Sequence, residues 1–164
     1  MKALVQRVIE ASVTVEATSY RASIGAGLCV LLGVEKGDTP KEAEWIAAKL
    51  ARLRIFRDEE GRMNRSVKDI GGGIGGEIGG EILLISQFTL AGDCRKGNRP
   101  SFVNAADPAV GEALYELVAT QLRRDHELVV RTGQFGATMQ VALINDGPVT
   151  IMVERSPPAA SAPP

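Results

Sequence analysis

Met139-Gln140-Val141-Ala142-Leu143-Ile144-Asn145-Asp146-Gly147-Pro148-Val149-Thr150-Ile151-Met152-Val153 reads as two apolar runs around a polar hinge. Residues 139–144 and 149–153 are short and β-favouring, so each predicts a strand. Asp146-Gly147 has the chemistry of a hairpin turn. Pro148 fits that turn poorly, because it removes a backbone donor where the next strand would begin. An X-Pro bond without special context is cis only about 5% of the time, so sequence physics alone favours trans for Gly147-Pro148. A second polar stretch, Ser86-Gln87-Phe88-Thr89-Leu90, follows the apolar run over residues 82–85. Polar groups at strand ends are where a rigid scaffold presents chemistry.

Working outward, residues 2–9 and 12–16 predict strands, and residues 27–34 predict a buried one rich in Val and Leu. Thr39-Pro40-Lys41-Glu42 is a capping box with Pro at the first helical position. Ala43, Ile46, Ala47, Leu50 and Leu53 then recur on one helix face. Residues 54–56 begin another strand. Asp107-Pro108 opens a second helix, with Val110, Leu114, Leu117, Val118 and Leu122 facing inward, and residues 128–131 add a strand. Many strands with two separated helices predict an α+β fold rather than alternating βαβ units.

The 164 residues, 45% hydrophobic and 24% charged, are the size of one domain with an adequate core. No apolar run approaches the roughly 20 residues of a membrane span. The start, Met1-Lys2-Ala3-Leu4-Val5-Gln6-Arg7, breaks too early for a secretory signal. Cys29 and Cys94 lack metal-ligand spacing, and a reducing cytoplasm is expected. A net charge of −1 argues against an extended nucleic-acid surface. It leaves room for an RNA end held by shape and a few cations. Arg95, Lys96 and Arg99 form the densest basic loop, which composition alone reads as solvated.

Two segments depart from ordinary globular sequence. Residues 71–82 are three tandem Gly-Gly-x-Ile units, and residues 71–80 hold seven of the 18 glycines. Gly71-x-Gly73-x-x-Gly76 has dinucleotide-fingerprint spacing, but it precedes a strand instead of following one and opening a helix. A loop expansion is expected there. Residues 155–164 are Pro- and Ala-rich and read as a disordered tail beyond a domain spanning residues 1–154.

The single histidine, His126, lies in a charged stretch at a helix exit, where an exposed or locally bonded ring is expected. With it and two distant cysteines, no metal or cofactor is expected. Three nucleophile candidates remain. Thr89 lies just past a strand, Cys94 sits beside Arg95 and Lys96, which could lower its pKa, and Thr150 follows Gly-Pro. Each also has a structural reading: a strand-end hydroxyl, a surface thiol and a β-favouring residue. No activating base is visible for any of them.

The two polar stretches closely resemble the signature motifs of the D-aminoacyl-tRNA deacylase family. The resemblance runs from Met1 to about Glu154. It includes Gln6-Arg7-Val8, Met63-Asn64-Arg65-Ser66-Val67, Arg95-Lys96-Gly97 with Arg99-Pro100-Ser101-Phe102, and Phe135-Gly136-Ala137 before Met139-Gln140-Val141. It implies a barrel-like core of mixed and antiparallel strands with two main helices. It also implies hydrolysis of D-aminoacyl-tRNA, and of glycyl-tRNA(Ala), by a homodimer. Ser86, Gln87, Phe88 and Thr89 would form the catalytic segment, with backbone N–H groups near Phe88 and Thr89 as an oxyanion hole. The tRNA's terminal 2′-OH would help activate water. Gly147 and Pro148, joined by a cis bond, would enter the partner's site and reject L-amino acids by backbone exclusion. Arg95, Lys96, Arg99 and Met139 are candidate tRNA-end contacts. Intact motifs favour a hydrolase over a non-catalytic module binding RNA ends or a protein. A thiol hydrolase using Cys94 is the third reading.

Overall fold

The computed structural model describes residues 1–70 and 79–157. Its strands are β1 (Lys2–Val15), β2 (Tyr20–Ile24), β3 (Gly27–Gly33), β4 (Phe56–Arg57), β5 (Met63–Arg65), β6 (Glu81–Ser86), β7 (Val130–Thr132) and β8 (Gln140–Glu154). The helices are α1 (Pro40–Arg52) and α2 (Pro108–Arg124). The main sheet runs β2-β1-β3-β6-β7, with β8 along the other edge of β1. β1 is antiparallel to β2, β3 and β8, whereas β3–β6 and β6–β7 are parallel. The parallel pairs follow from crossovers that contain α1 and α2. The result is a mixed, strongly curved, barrel-like sheet.

β3 and β6 read as unbroken apolar runs because both faces of the sheet are covered there. Leu28, Val30, Leu32, Ile82 and Leu84 pack with Ile46, Leu50, Val118 and Leu122 from the helices. Cys29, Leu83 and Ile85 face the other way, onto Val8, Val13 and Ile24. Burial pushes the Cys29 thiol up to about 11, so it is a small hydrophobe and not a nucleophile.

The capping box of α1 forms as expected, with Thr39 and Glu42 bonded reciprocally. In α2, Leu114, Val118 and Leu122 are buried, but Val110 is 46% exposed. Gly111 and Tyr115 take its place in the buried stripe. The two strands expected over residues 2–9 and 12–16 are one strand, because Glu10, Ala11 and Ser12 between them keep regular pairing with β8 and make no turn. The strand expected at residues 54–56 is shifted to Phe56–Arg57. Residues 71–78 of the glycine repeat lie outside the described residues, as do residues 158–164 of the tail. Gly80 N–H donates to Val67 O at 2.9 Å, fixing the point where the chain re-enters β6. Arg155 lies over the Trp45 ring, 5.5 Å from its centroid.

Tyr115 ties α2 to β6: its hydroxyl donates to Leu84 O at 2.8 Å in the core, two residues before Ser86. Tyr115→Phe should lower unfolding stability by about 1 kcal/mol, the usual net value of such a bond. Urea denaturation is the check, and an unchanged midpoint would show that the bond contributes nothing.

Candidate active site

β6 ends at Ser86 and the chain turns at once. Gln87 N–H donates to Leu32 O at 2.8 Å. Residues Phe88–Ala91 form a 3-10 turn, closed by Leu90 N–H to Gln87 O and Gly92 N–H to Thr89 O. The turn rests on Gly33. A Cβ at that position would lie 2.9 Å from Gln87 O and 3.0 Å from Leu90 Cβ, so a larger residue would displace it. The opening N–H groups of such a turn have no acceptor within it. Among the described residues, none is bonded to Phe88 N–H or Thr89 N–H. Gln87 Nε2 donates to Thr89 Oγ1 at 2.6 Å, and no histidine or carboxylate bonds that hydroxyl among the described residues. Thr89 therefore lacks the adjacent base that a hydroxyl nucleophile needs.

Ser86, Gln87 and Phe88 form one wall of a cavity of about 500 Å³. Phe135, Gly136, Ala137, Met139 and Val141 form the facing wall, and Pro108 and Gly111 at the start of α2 close the end. This is the size and apolar character of a small-molecule site. Thr89, Arg95, Lys96, Arg99, Gly147 and Pro148 are not among its lining residues. A second hollow of about 530 Å³, lined by residues including Glu10, Arg21, Ser23 and Glu81, contains none of the expected site residues. Sequence reasoning singled out Ser86–Phe88 and Met139. Phe135, Pro108 and Gly111 were not named as site residues, although Phe135-Gly136-Ala137 is itself one of the stretches shared with the family. A helix-start Pro and Gly carry no such signal.

Residues 93–101, which follow the Phe88–Ala91 turn, form a loop closed at its base by two backbone hydrogen bonds between Asp93 and Ser101. Arg95 is committed within it. Its Nε and Nη2 reach both carboxylate oxygens of Asp93, at 2.6–3.1 Å. Those bonds, with the Arg95 backbone N–H, hold the Asp93 carboxyl down at about 2. Lys96 and Arg99 are exposed and make no ion pair among the described residues. Cys94 is exposed, and the cation next to it in sequence is already neutralised by Asp93.

The Gly147-Pro148 hinge is built differently from a hairpin. β8 continues through it as one strand, and the peptide bond is cis. Gln6–Thr150 and Val8–Asn145 are consecutive pairs in the β1–β8 register, so residues 146–149 stand opposite Arg7 alone. Arg7 is 2% exposed. Its Nε donates to Asp146 O at 3.0 Å and meets Asp146 Oδ2 at 2.9 Å, while Nη1 donates to Ile55 O. Asn145 closes the other side, accepting from Val149 N–H at 2.7 Å and donating to Val149 O at 3.1 Å. Gly147 has φ +143°, and a Cβ there would meet Val149 Cγ2 at 2.7 Å. Gly147 and Pro148 are held outward, exposed.

His126 is half-buried just past α2, its pKa lowered by burial and by Arg52 and Lys68, and it does not line the cavity. Among the described residues no group of three or more His, Cys, Asp or Glu could hold a metal.

Comparison with known proteins gives a consistent result. The family model described as D-Tyr-tRNA(Tyr) deacylase matches residues 4–154. A protein of Heliobacterium modesticaldum named D-aminoacyl-tRNA deacylase is 54% identical over 154 residues, 94% of this chain and 96% of that one. One of Azoarcus sp. strain BH72 with the same name is 52% identical, covering 99% of this chain and all of that one. The solved structure titled c-Myc DNA Unwinding Element Binding Protein superposes with a TM-score of 0.82 at 44% identity, over 96% of this chain and all of that one. A probable eukaryotic D-amino acid tRNA deacylase shares the fold, with a TM-score of 0.74 at 18% identity over 93% of this chain and 97% of that one.

Arg7→Lys keeps a charge but loses the planar fork that serves two carbonyls and a carboxylate. It should cost about 1.5–3 kcal/mol, the range for hydrogen bonds to charged groups. Hydrogen exchange should quicken first at Val149, whose N–H the hinge protects. Unchanged protection there would show that Arg7 does not hold the hinge.

Proposed function

The chain belongs to the D-Tyr-tRNA(Tyr) deacylase family and is an enzyme that deacylates D-aminoacyl-tRNA, and from that premise we propose how its residues do so. The observation that carries the proposal is the turn on Gly33: among the described residues its Phe88 and Thr89 N–H groups have no acceptor, and the cavity lined by Ser86–Phe88 has no histidine or carboxylate in its lining. The terminal adenosine of tRNA enters the cavity between Phe135 and Met139. The ester carbonyl then lies against Phe88 and Thr89. Water attacks the carbonyl carbon, its proton handled with help from the ribose 2′-OH, and the 3′ oxygen departs as a hydroxyl. The N–H groups of Phe88 and Thr89 stabilise the oxyanion, where a preorganised donor contributes about 3 kcal/mol.

Gly147 and Pro148 do not line the cavity of their own chain, so we assign them to a second copy. The outer surface of β1 and β8 carries exposed Ile9, Ile144 and Met152 around the hinge, a strip suited to a two-fold homodimer. There the hinge carbonyls would receive the substrate's α-amino group, and rigid backbone would stand where an L side chain must go. D side chains project outward, and glycine, which has no Cβ, passes. This supports activity on glycyl-tRNA(Ala) as well. We place the enzyme in the cytoplasm, with charged tRNA. One solved relative is named for binding a DNA element. A net charge of −1 offers no extended phosphate surface, and so favours an RNA end here.

Matched D- and L-aminoacyl-tRNAs test the proposal. D substrates should be hydrolysed faster by more than the roughly 1–3 kcal/mol that one methylene contributes in a hydrophobic pocket. Equal rates would refute rejection by the hinge. A terminal 2′-deoxyribose should greatly slow hydrolysis while leaving binding largely intact, and an unaffected rate would refute assistance by the RNA. Thr89→Ala should retain measurable activity, since the hydroxyl has no base. A trapped threonyl ester would overturn that assignment.

A further inference from the structure

At the cavity wall lies a pair of aromatic rings whose faces and edges the deacylation chemistry does not use. Phe88, at the cavity wall, meets Phe102 edge to face, with ring centroids 5.3 Å apart and planes at 71°. Phe102 is 38% exposed and braced by Gly92, where a Cβ would come within 3.0 Å of its ring. Val103, the next residue, is 65% exposed. A phenylalanine held by a second ring and a close-packed glycine, yet more than a third exposed, is preorganised. Ser101, adjacent to it, pairs with Asp93 at the base of the loop that carries Lys96 and Arg99. The chain thus joins a cavity wall, an aromatic ring packed on it, and a loop at whose foot that ring stands and whose Lys96 and Arg99 make no ion pair among the described residues. Arg95, in the same loop, is neutralised by Asp93.

That combination matches what single-stranded RNA leaving a site needs: a base stacks on an aromatic side chain while cations meet the backbone phosphates. Resting on the deacylase reading above, we propose that Phe102 is the stacking platform for the unpaired nucleotide immediately 5′ of the terminal adenosine. Lys96 and Arg99, and not Arg95, meet its phosphates. Phe102 is therefore a positioning residue that favours an intact tRNA 3′ end over a lone aminoacyl nucleoside. The occupant is RNA and not an apolar protein surface because the ring follows directly on a loop that carries Lys96 and Arg99, and because on the reading above the cavity wall it packs against takes the next nucleotide.

The test uses two substrates in the full-length protein: D-aminoacyl-tRNA and the corresponding D-aminoacyl-adenosine, which has no preceding nucleotide. Phe102→Ala should lower kcat/KM for the tRNA about 5- to 100-fold, the range expected for loss of one stacked base, mainly through KM. It should leave the adenosine ester unchanged, and Phe102→Tyr should restore the tRNA rate. Lys96→Ala and Arg99→Ala should each raise KM for tRNA and flatten its salt dependence, whereas Arg95→Ala should do neither. An equal loss on both substrates would show a structural role for Phe102 and overturn the proposal, as would an unchanged rate on tRNA. Hydrolysis of neither substrate by the unaltered protein would overturn the deacylase reading itself, and the proposal with it.

Discussion

The Arg7 guanidinium sits within the sheet, nearly without solvent, and binds Asp146 through both its carbonyl and its carboxylate. A buried charge of this kind persists only when its donors are met. Here the third acceptor, Ile55 O, comes from the segment between α1 and β4. The consequence is geometric. β1 and β8 pair on both sides of Arg7, and the surplus residues of β8 have nowhere to go but outward. Gly147 and Pro148 are presented as a stiff backbone feature because a cation inside the sheet fixes the residue before them. A flexible hairpin at the same position could not discriminate by exclusion, since it would yield to an L side chain.

The Phe88–Ala91 turn relies on a comparable economy of parts. Gly33 at the end of β3 permits the Gln87–Leu90 segment to lie against the strand, and Leu32 O fixes its first N–H. Neither contact involves a side chain with acid–base chemistry. In the mechanism proposed above the protein supplies position and hydrogen-bond donors, in keeping with a chain whose one histidine does not line the cavity and whose buried thiol is held protonated. The turn and the hinge are both backbone features, and each is placed by a neighbouring strand.

Much of this was legible in the residues. The runs over β3 and β6 were readable because both faces are buried, and the Thr39–Glu42 box marked the start of α1 unambiguously. Ser86–Phe88, which line the cavity, stood out as polar residues ending an apolar run, and Met139 was named through the family resemblance. What stayed hidden depended on tertiary context. Tyr20-Arg21-Ala22-Ser23-Ile24 carries too little apolar signal to announce β2. The Gly147-Pro148 bond is cis, against the preference of an isolated peptide, within a segment clamped on both sides. Arg7 in a Gln-Arg-Val stretch looks like any outward strand residue, and nothing local reveals that its partner lies 139 residues away. The three basic residues of the 93–101 loop looked equivalent until Asp93 was seen to claim one of them.

The central claim is that the hinge of one chain completes the site of another. Mixing two crippled proteins tests it directly: Gly147→Val, which distorts the hinge, and Gly33→Val, which displaces the turn. A mixed dimer holds one intact turn facing one intact hinge. Each protein alone should then be poor at D-specific hydrolysis, and the mixture should recover it. If mixed dimers form and are no more active or selective than the two separate proteins, the site does not lie between chains.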